Sequence, residues 1–302
     1  MDLKQPLTYE EQLEKLISHG VLIDDSKKDK YLEILSKTNY YRFTGYALQY
    51  RLTENDSDYV DGLSFEQIHA IYLFDEELRN VLRKYIEKAE IYYRAKISYG
   101  FVLSKCTDKP YDQHYDENNY YNKKGIKEVM DSFSKEKNYY KDSLIVKHHK
   151  AMYSDKMPLW VMVELMSFSN ISKMYNCMYY SEKDVIAKSV GTGRNTLENN
   201  LHCLSVLRNK CAHAARLYNT EYNPPATLPI SFMRNNPTIK NNSLFSYLIV
   251  LVRRLPDEKN RKDLINDIAG LMNKYADIID KKKIGFPENY RELLEKNICI
   301  KL

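Results

Sequence analysis

Apolar residues recur at helical spacing along most of the chain, and many of the segments open on helix-capping residues. Thr8-Tyr9-Glu10-Glu11 is a capping box, followed by Leu13, Leu16 and Ile17 on one face and a stop near Gly20. A second helix is expected over Lys27–Ser36 and a third over 39-NYYRFTGYALQY-50, ahead of an acidic turn, 54-ENDSDYVDG-62. A second capping box, Ser64-Phe65-Glu66-Gln67, starts the longest periodic segment. Ile68, Ile71, Leu78, Leu82, Tyr85, Ala89, Tyr93 and Ile97 share roughly one face there, which predicts a spine helix of about thirty residues.

The interval 105–142 is rich in Asp, Asn, Lys and Tyr with little periodicity, and is expected to be a long loop or peripheral insertion. Pro158-Leu159-Trp160 suits the first turn of a helix running through Val163 and Met166. Short helices are expected at 170–180 and from Ser181, then a long one after Gly191-Thr192-Gly193 that ends before Pro224-Pro225. Two more follow around 243–255 and 258–279, before the basic run Lys281-Lys282-Lys283. Strand signals and internal repeats are lacking. The expectation is an all-α chain forming one domain over 1–302, with an N-terminal helical unit (1–60), a core (64–225) and C-terminal helices (240–302).

Composition narrows the classes. Net charge is only +5, from 46 basic and 41 acidic residues, which is compatible with a polyanion partner without requiring one. Twenty-seven tyrosines, several in tandem, fit half-buried packing rather than a base-stacking pattern. Five scattered cysteines (Cys106, Cys177, Cys203, Cys211, Cys299) have neither zinc nor redox spacing and suit a reducing compartment. The opening Met1-Asp2-Leu3-Lys4 does not start a signal segment, and 244-LFSYLIVLV-252 is too short to span a bilayer, so a cytoplasmic location without membrane contact is expected. Gly191-Thr192-Gly193 is too short for a phosphate loop, and His148-His149 lacks the partners of a metal site; no metal or cofactor is expected.

The segment 201-LHCLSVLRNKCAHAARLYN-219 raises the chemical question. Counting 100° per residue from Leu197, the residues Leu201, Leu204, Cys211, Ala215 and Tyr218 form an apolar stripe, and Arg208 falls inside it at about 20°. His202, Asn209, His213 and Arg216 flank the stripe between about 100° and 160°. A guanidinium in an apolar seam needs an anionic partner. That partner is either a carboxylate, with Glu90 and Glu164 as candidates, or a phosphate gripped in bidentate fashion. His213 can move a proton beside such a phosphate, and Asn209 can orient the ring or touch the phosphate. Arg208 and His213 diverge by about 140° on an ideal helix, so they converge through arginine length, distortion at the helix end, or a second copy. With seven histidines in the chain the Arg-x-x-x-x-His spacing is by itself a weak signal.

Several segments in order resemble the bacterial abortive-infection proteins of the AbiD/AbiF-like group, within the HEPN superfamily of all-α nucleotide- and RNA-acting domains. They are 6-PLTYEEQLEKLISHGVLI-23, 39-NYYRFTGYALQY-50, 64-SFEQIHAIYLFDEELRNVL-82, 87-EKAEIYYRAKIS-98, 158-PLWVMVELMSFSNISKMY-175, 207-LRNKCAHAARLYN-219 and 285-GFP-287. The resemblance implies a HEPN-like helical bundle with N- and C-terminal helical extensions. It maps the Arg-Asn-x-x-x-His signature onto Arg208, Asn209 and His213, which implies a metal-independent endoribonuclease with a composite site shared across a homodimer. Arg216 and Asn219 match the run after the histidine, whereas Ala214 departs from it, since many relatives carry a second histidine there. Glu90 and Arg94 match an acidic–basic pair on the long helix and are expected to support the site. Lys210 is expected to contact phosphate, and His202 matches no signature and is expected on a solvated flank.

What the resemblance implies is an anti-phage, growth-arresting effector acting on cellular RNA, restrained by an antitoxin or a regulatory noncoding RNA. The alternatives are a module that binds RNA or a nucleotide without cutting it, and an interaction subunit of a defence or toxin–antitoxin system.

Overall fold

The structure is a computed structural model that describes residues 3, 5–53 and 57–298; Cys299 and part of the acidic turn at 54–62 lie outside the described residues. It contains fourteen α-helices and no β-strand among the described residues, so the fold is all-α. Three short helices open the chain: α1 (Tyr9–Ser18), α2 (Lys28–Lys37) and α3 (Tyr40–Thr44). The spine, α4 (Phe65–Lys105), follows, then α5 (Lys123–Tyr139), α6 (Leu144–Met152), α7 (Leu159–Leu165), α8 (Phe168–Cys177) and α9 (Tyr180–Ser189). The helix of the arginine seam is α10 (Arg194–Ala212). The remainder is α11 (Ile230–Asn235), α12 (Leu244–Arg254), α13 (Glu258–Lys274) and α14 (Tyr290–Glu295).

At 41 residues α4 is about 60 Å long, and α3, α7, α8, α9, α10, α12 and α13 pack on it. Its start is anchored by aromatic packing. The Phe65 ring lies 4.4 Å from Tyr31 and 4.6 Å from Phe43, which ties the N-terminal unit to the spine. Further along, Lys84 and Tyr85 both reach Asp267 of α13, at 3.0 and 2.7 Å. A single buried cluster extends from Leu13 to Ile298. Helix α12 is apolar almost all round because it is buried on all sides, from Leu244 to Val252. No helix is long and apolar enough to cross a membrane among the described residues.

Several expectations are corrected. The spine runs about ten residues beyond the expected length, because Tyr99 and Leu103 continue it on the solvent side while Ile97 and Phe101 stay buried. The interval 105–142 is not a loop. It contains α5, capped by the Asn122 side chain, with Ile126, Val129 and Phe133 buried against α8 and α7. Those three residues are spaced i, i+3, i+7, but the Lys- and Asn-rich solvent face dilutes the pattern. The segment 39–50 is helical only over Tyr40–Thr44, with a separate 3₁₀ turn at Leu48–Tyr50. Helix α13 stops at Lys274, short of 279.

The seam helix also stops early. It ends at Ala212, so Ala215 and Tyr218 do not continue its stripe, nor Arg216 its polar flank. His213 is the C-cap, Ala214 takes a left-handed conformation (φ 51), the Ala215 N–H reaches Lys210 O at 2.8 Å and the Ala214 N–H reaches Cys211 O at 3.4 Å. This is a Schellman termination with alanine in the position that usually holds glycine. Tyr218 is buried through the turn rather than through the helix.

Candidate functional site

Facing segments of α4, α7 and α10 form a cleft of about 380 Å³, lined by three arginines (Arg83, Arg94, Arg208), three glutamates (Glu87, Glu90, Glu164) and the small residues Cys211 and Ala212. The seam arginine takes the first expected carboxylate. Arg208 Nε donates to Glu90 Oε2 at 3.2 Å, and the other oxygen, Glu90 Oε1, accepts from Arg94 Nη2 at 2.5 Å. Glu164 lines the same cleft without pairing to Arg208. The Glu90 side chain is 11% exposed and that of Arg208 37%, so the carboxylate is fixed from below while the guanidinium opens to solvent. Only Nε of Arg208 is engaged. Its two Nη groups have no protein partner among the described residues, which leaves the fork that grips a phosphate unoccupied by protein. Nη1 of Arg94 is buried without a hydrogen-bond partner.

Asn209 donates to Ser169 Oγ at 3.0 Å, which holds it toward α8. Lys210 is half-buried over the Tyr222 ring at 5.3 Å; burial, then the neighbouring Arg216 charge, lowers its pKa. His213 is exposed at the end of α10 and is not among the residues that line the cleft. Arg216 donates from Nη1 to Gly45 O, away from the cleft. Asn219 is exposed in a left-handed conformation (φ 47), and His202 is exposed on α10. The structure therefore brings Arg208, Glu90 and Arg94 together, while Asn209, Lys210, His213, Arg216, Asn219 and His202 are not among the residues that line their cleft.

Asp75, Arg79 and Arg83 belong to no motif in the sequence, yet they support the turn after α10. They form an i, i+4, i+8 row on α4, and Asp75 is fully buried. Asp75 accepts from the Leu217 and Tyr218 N–H groups, from Tyr46 Oη at 2.7 Å and from Arg79. Burial pushes its carboxyl up, and the Arg79 guanidinium pulls it back. A signal was available in a charged row interrupting the apolar face of the spine. The four described cysteines are buried, and burial raises Cys177 and Cys203 to about 11 and Cys211 to about 12, so these thiols are protonated hydrophobes.

The fold and site together define an all-helical bundle that sets a half-exposed arginine over a buried carboxylate. The family model described as Abi-like protein matches residues 33–219, more than half of the chain, and the chain belongs to that family. Family membership supports a role in abortive infection. The matched span includes α4, α10 and the whole Arg208–Asn219 stretch. No curated protein and no solved structure matches the chain.

Proposed function

We propose that this Abi-like protein is a metal-independent endoribonuclease of the HEPN type, acting as an abortive-infection effector on RNA. The observation that carries the reading is the Arg208 guanidinium, oriented through Nε by Glu90 and lining the cleft with neither Nη group bonded to protein among the described residues. That geometry suits a scissile phosphate whose charge increases in the transition state. The ribose 2′-oxygen attacks phosphorus, the bond to the 5′-oxygen breaks, and a 2′,3′-cyclic phosphate forms. Two protons move: one leaves the 2′-hydroxyl and one reaches the departing 5′-oxygen. His213 serves one of these transfers. Because His213 is not among the residues that line the cleft of its own copy, the reading includes a homodimer in which a second copy completes the site. Restraint by an antitoxin or a structured noncoding RNA belongs to the same proposal.

The test is cleavage of RNA by purified protein with chelator present, with the 3′ ends of the products identified. Wild type yields cyclic phosphate ends, whereas Arg208→Ala and His213→Ala lose cleavage by about 10²-fold or more. Unchanged cleavage by both variants overturns the site, and an active monomer in sedimentation at assay concentration overturns the shared site.

The exposed position of His213 also favours a second reading, in which the cleft holds RNA or a nucleotide without cutting it. Under that reading His213→Gln retains RNA binding and phage protection, while Arg208→Ala loses both.

A further inference from the structure

The turn that carries His213 is held by three arginines, two from the spine and one from the N-terminal unit. Arg83 Nη2 donates to Cys211 O at 3.1 Å, Arg42 Nη1 to Ala214 O at 2.5 Å, and Arg79 Nη1 to Ala215 O at 3.4 Å. His213 therefore sits between two carbonyls, those of Cys211 and Ala214, that are each tied to a guanidinium. The tie to the N-terminal unit is reciprocal. Arg42 of α3 reaches across to Ala214, and Arg216 reaches back to the Gly45 carbonyl that closes α3. Just past them, Tyr46 Oη and the Leu217 and Tyr218 N–H groups meet on Asp75.

This arrangement does more than end a helix. Ala214 is a non-glycine residue at φ 51, a conformation that L-residues leave unless contacts hold them there. The Arg42 bond falls on the carbonyl of that same residue. It therefore adds a third hold on that conformation, beside the Schellman bonds of the same turn and the Arg79 bond to Ala215 O.

We propose that Arg42 is a positioning residue for His213, and that the α3 unit is a control element of the site through this reciprocal latch. The proposal rests on the reading of His213 as the proton-transfer group. Any partner that draws α3 away from α10 would switch the site off without touching the cleft. Gly45 is suited to the junction: an added Cβ would lie 3.1 Å from the Arg42 main-chain carbonyl and 3.4 Å from Arg216 Nη1, which leaves little room where the Arg216 arm docks on α3.

The experiment uses the full chain as wild type, Arg42→Ala and Arg42→Lys. It measures amide hydrogen exchange over 212–219, the His213 ring resonances by NMR, thermal midpoints, and kcat and KM on RNA. In Arg42→Ala, exchange over 212–219 rises about tenfold, as expected for one lost charge-assisted bond, with protection in α4 and α8 retained. The His213 resonances shift, and kcat falls about 10²-fold at unchanged KM. Arg42→Lys, which keeps a single donor, restores most of each quantity. Unaltered exchange or unmoved His213 resonances in Arg42→Ala would overturn the latch. Faster exchange with wild-type kcat would show a purely structural tie and overturn the positioning role. If Arg42→Ala fails to fold, Arg42→Lys with wild-type exchange but unrestored kcat overturns the proposal equally. A wild-type protein that does not cleave RNA defeats the ribonuclease reading, while exchange and the His213 resonances still decide the latch.

Discussion

Arg208 and Glu90 meet across the α10–α4 interface, Nε to Oε2 at 3.2 Å, and the pair leaves the rest of the guanidinium facing the cleft. Glu90 also carries Arg94, so one carboxylate compensates two cations in a mostly desolvated place. Removing it as Glu90→Ala leaves two guanidiniums uncompensated. The cost is about 3 kcal/mol, at the low end for a broken buried pair because Arg208 is one-third exposed. Urea unfolding of wild type and variant measures it. Glu90→Gln, which keeps an acceptor, should lose less stability but reduce RNA cleavage, because the neutral amide orients Arg208 weakly.

Asp75 is the most heavily bonded buried carboxylate of the site region. Asp75→Asn keeps the shape but replaces one acceptor oxygen by a donor facing Tyr46, Arg79 or the Leu217–Tyr218 amides. It also strands the Arg79 guanidinium, which is 3% exposed. The expected loss is about 3–5 kcal/mol, visible as a lower denaturation midpoint. A loss below about 1 kcal/mol, no more than one ordinary hydrogen bond, would contradict this account.

Ala214 makes the opposite prediction. Glycine adopts the left-handed conformation without the Cβ contact, so Ala214→Gly should stabilise the folded chain by up to about 1 kcal/mol, less the entropy glycine adds to the unfolded state. Thermal unfolding reads the sign. Destabilisation would mean that the alanine methyl makes a contact worth more than the strain.

His114 supplies a pH dependence. It is 1% exposed, its Nε2 lies 2.9 Å from Met157 O, and burial lowers its pKa below 6.5. The folded chain then binds fewer protons than the unfolded chain once pH falls below the ordinary histidine value. The stability is fully present above about 6.5 and is lost as pH falls from there toward the folded pKa. Urea midpoints measured across this range should fall with acid, and His114→Gln should flatten the dependence. An equal slope in the variant would assign the effect elsewhere, with His69, also lowered by burial, as the next group to test.

Periodicity and capping chemistry were enough to read an all-α chain, the spine from Ser64, and the seam helix with its misplaced cation. A buried stripe imprints a 3.6-residue period, and a cap needs particular side chains, so both are local properties of sequence. The need of Arg208 for an anionic partner was legible too, but only the fold chose Glu90 over Glu164, because a helical period does not say which carboxylate of a facing helix lies opposite. Helix α5 escaped because its buried face holds only a few apolar residues in a field of lysine and asparagine. The end of α10 escaped for another reason. Nothing in Cys-Ala-His-Ala-Ala marks a stop, and the turn exists because Arg42, Arg79, Arg83 and Asp75, more than 120 residues upstream, satisfy its carbonyls and amides. The chain's own order of residues settles the all-helical class and the strongly periodic helices, the spine and the seam helix among them. Where the seam helix stops was decided by hydrogen bonds between segments that only folding brings together.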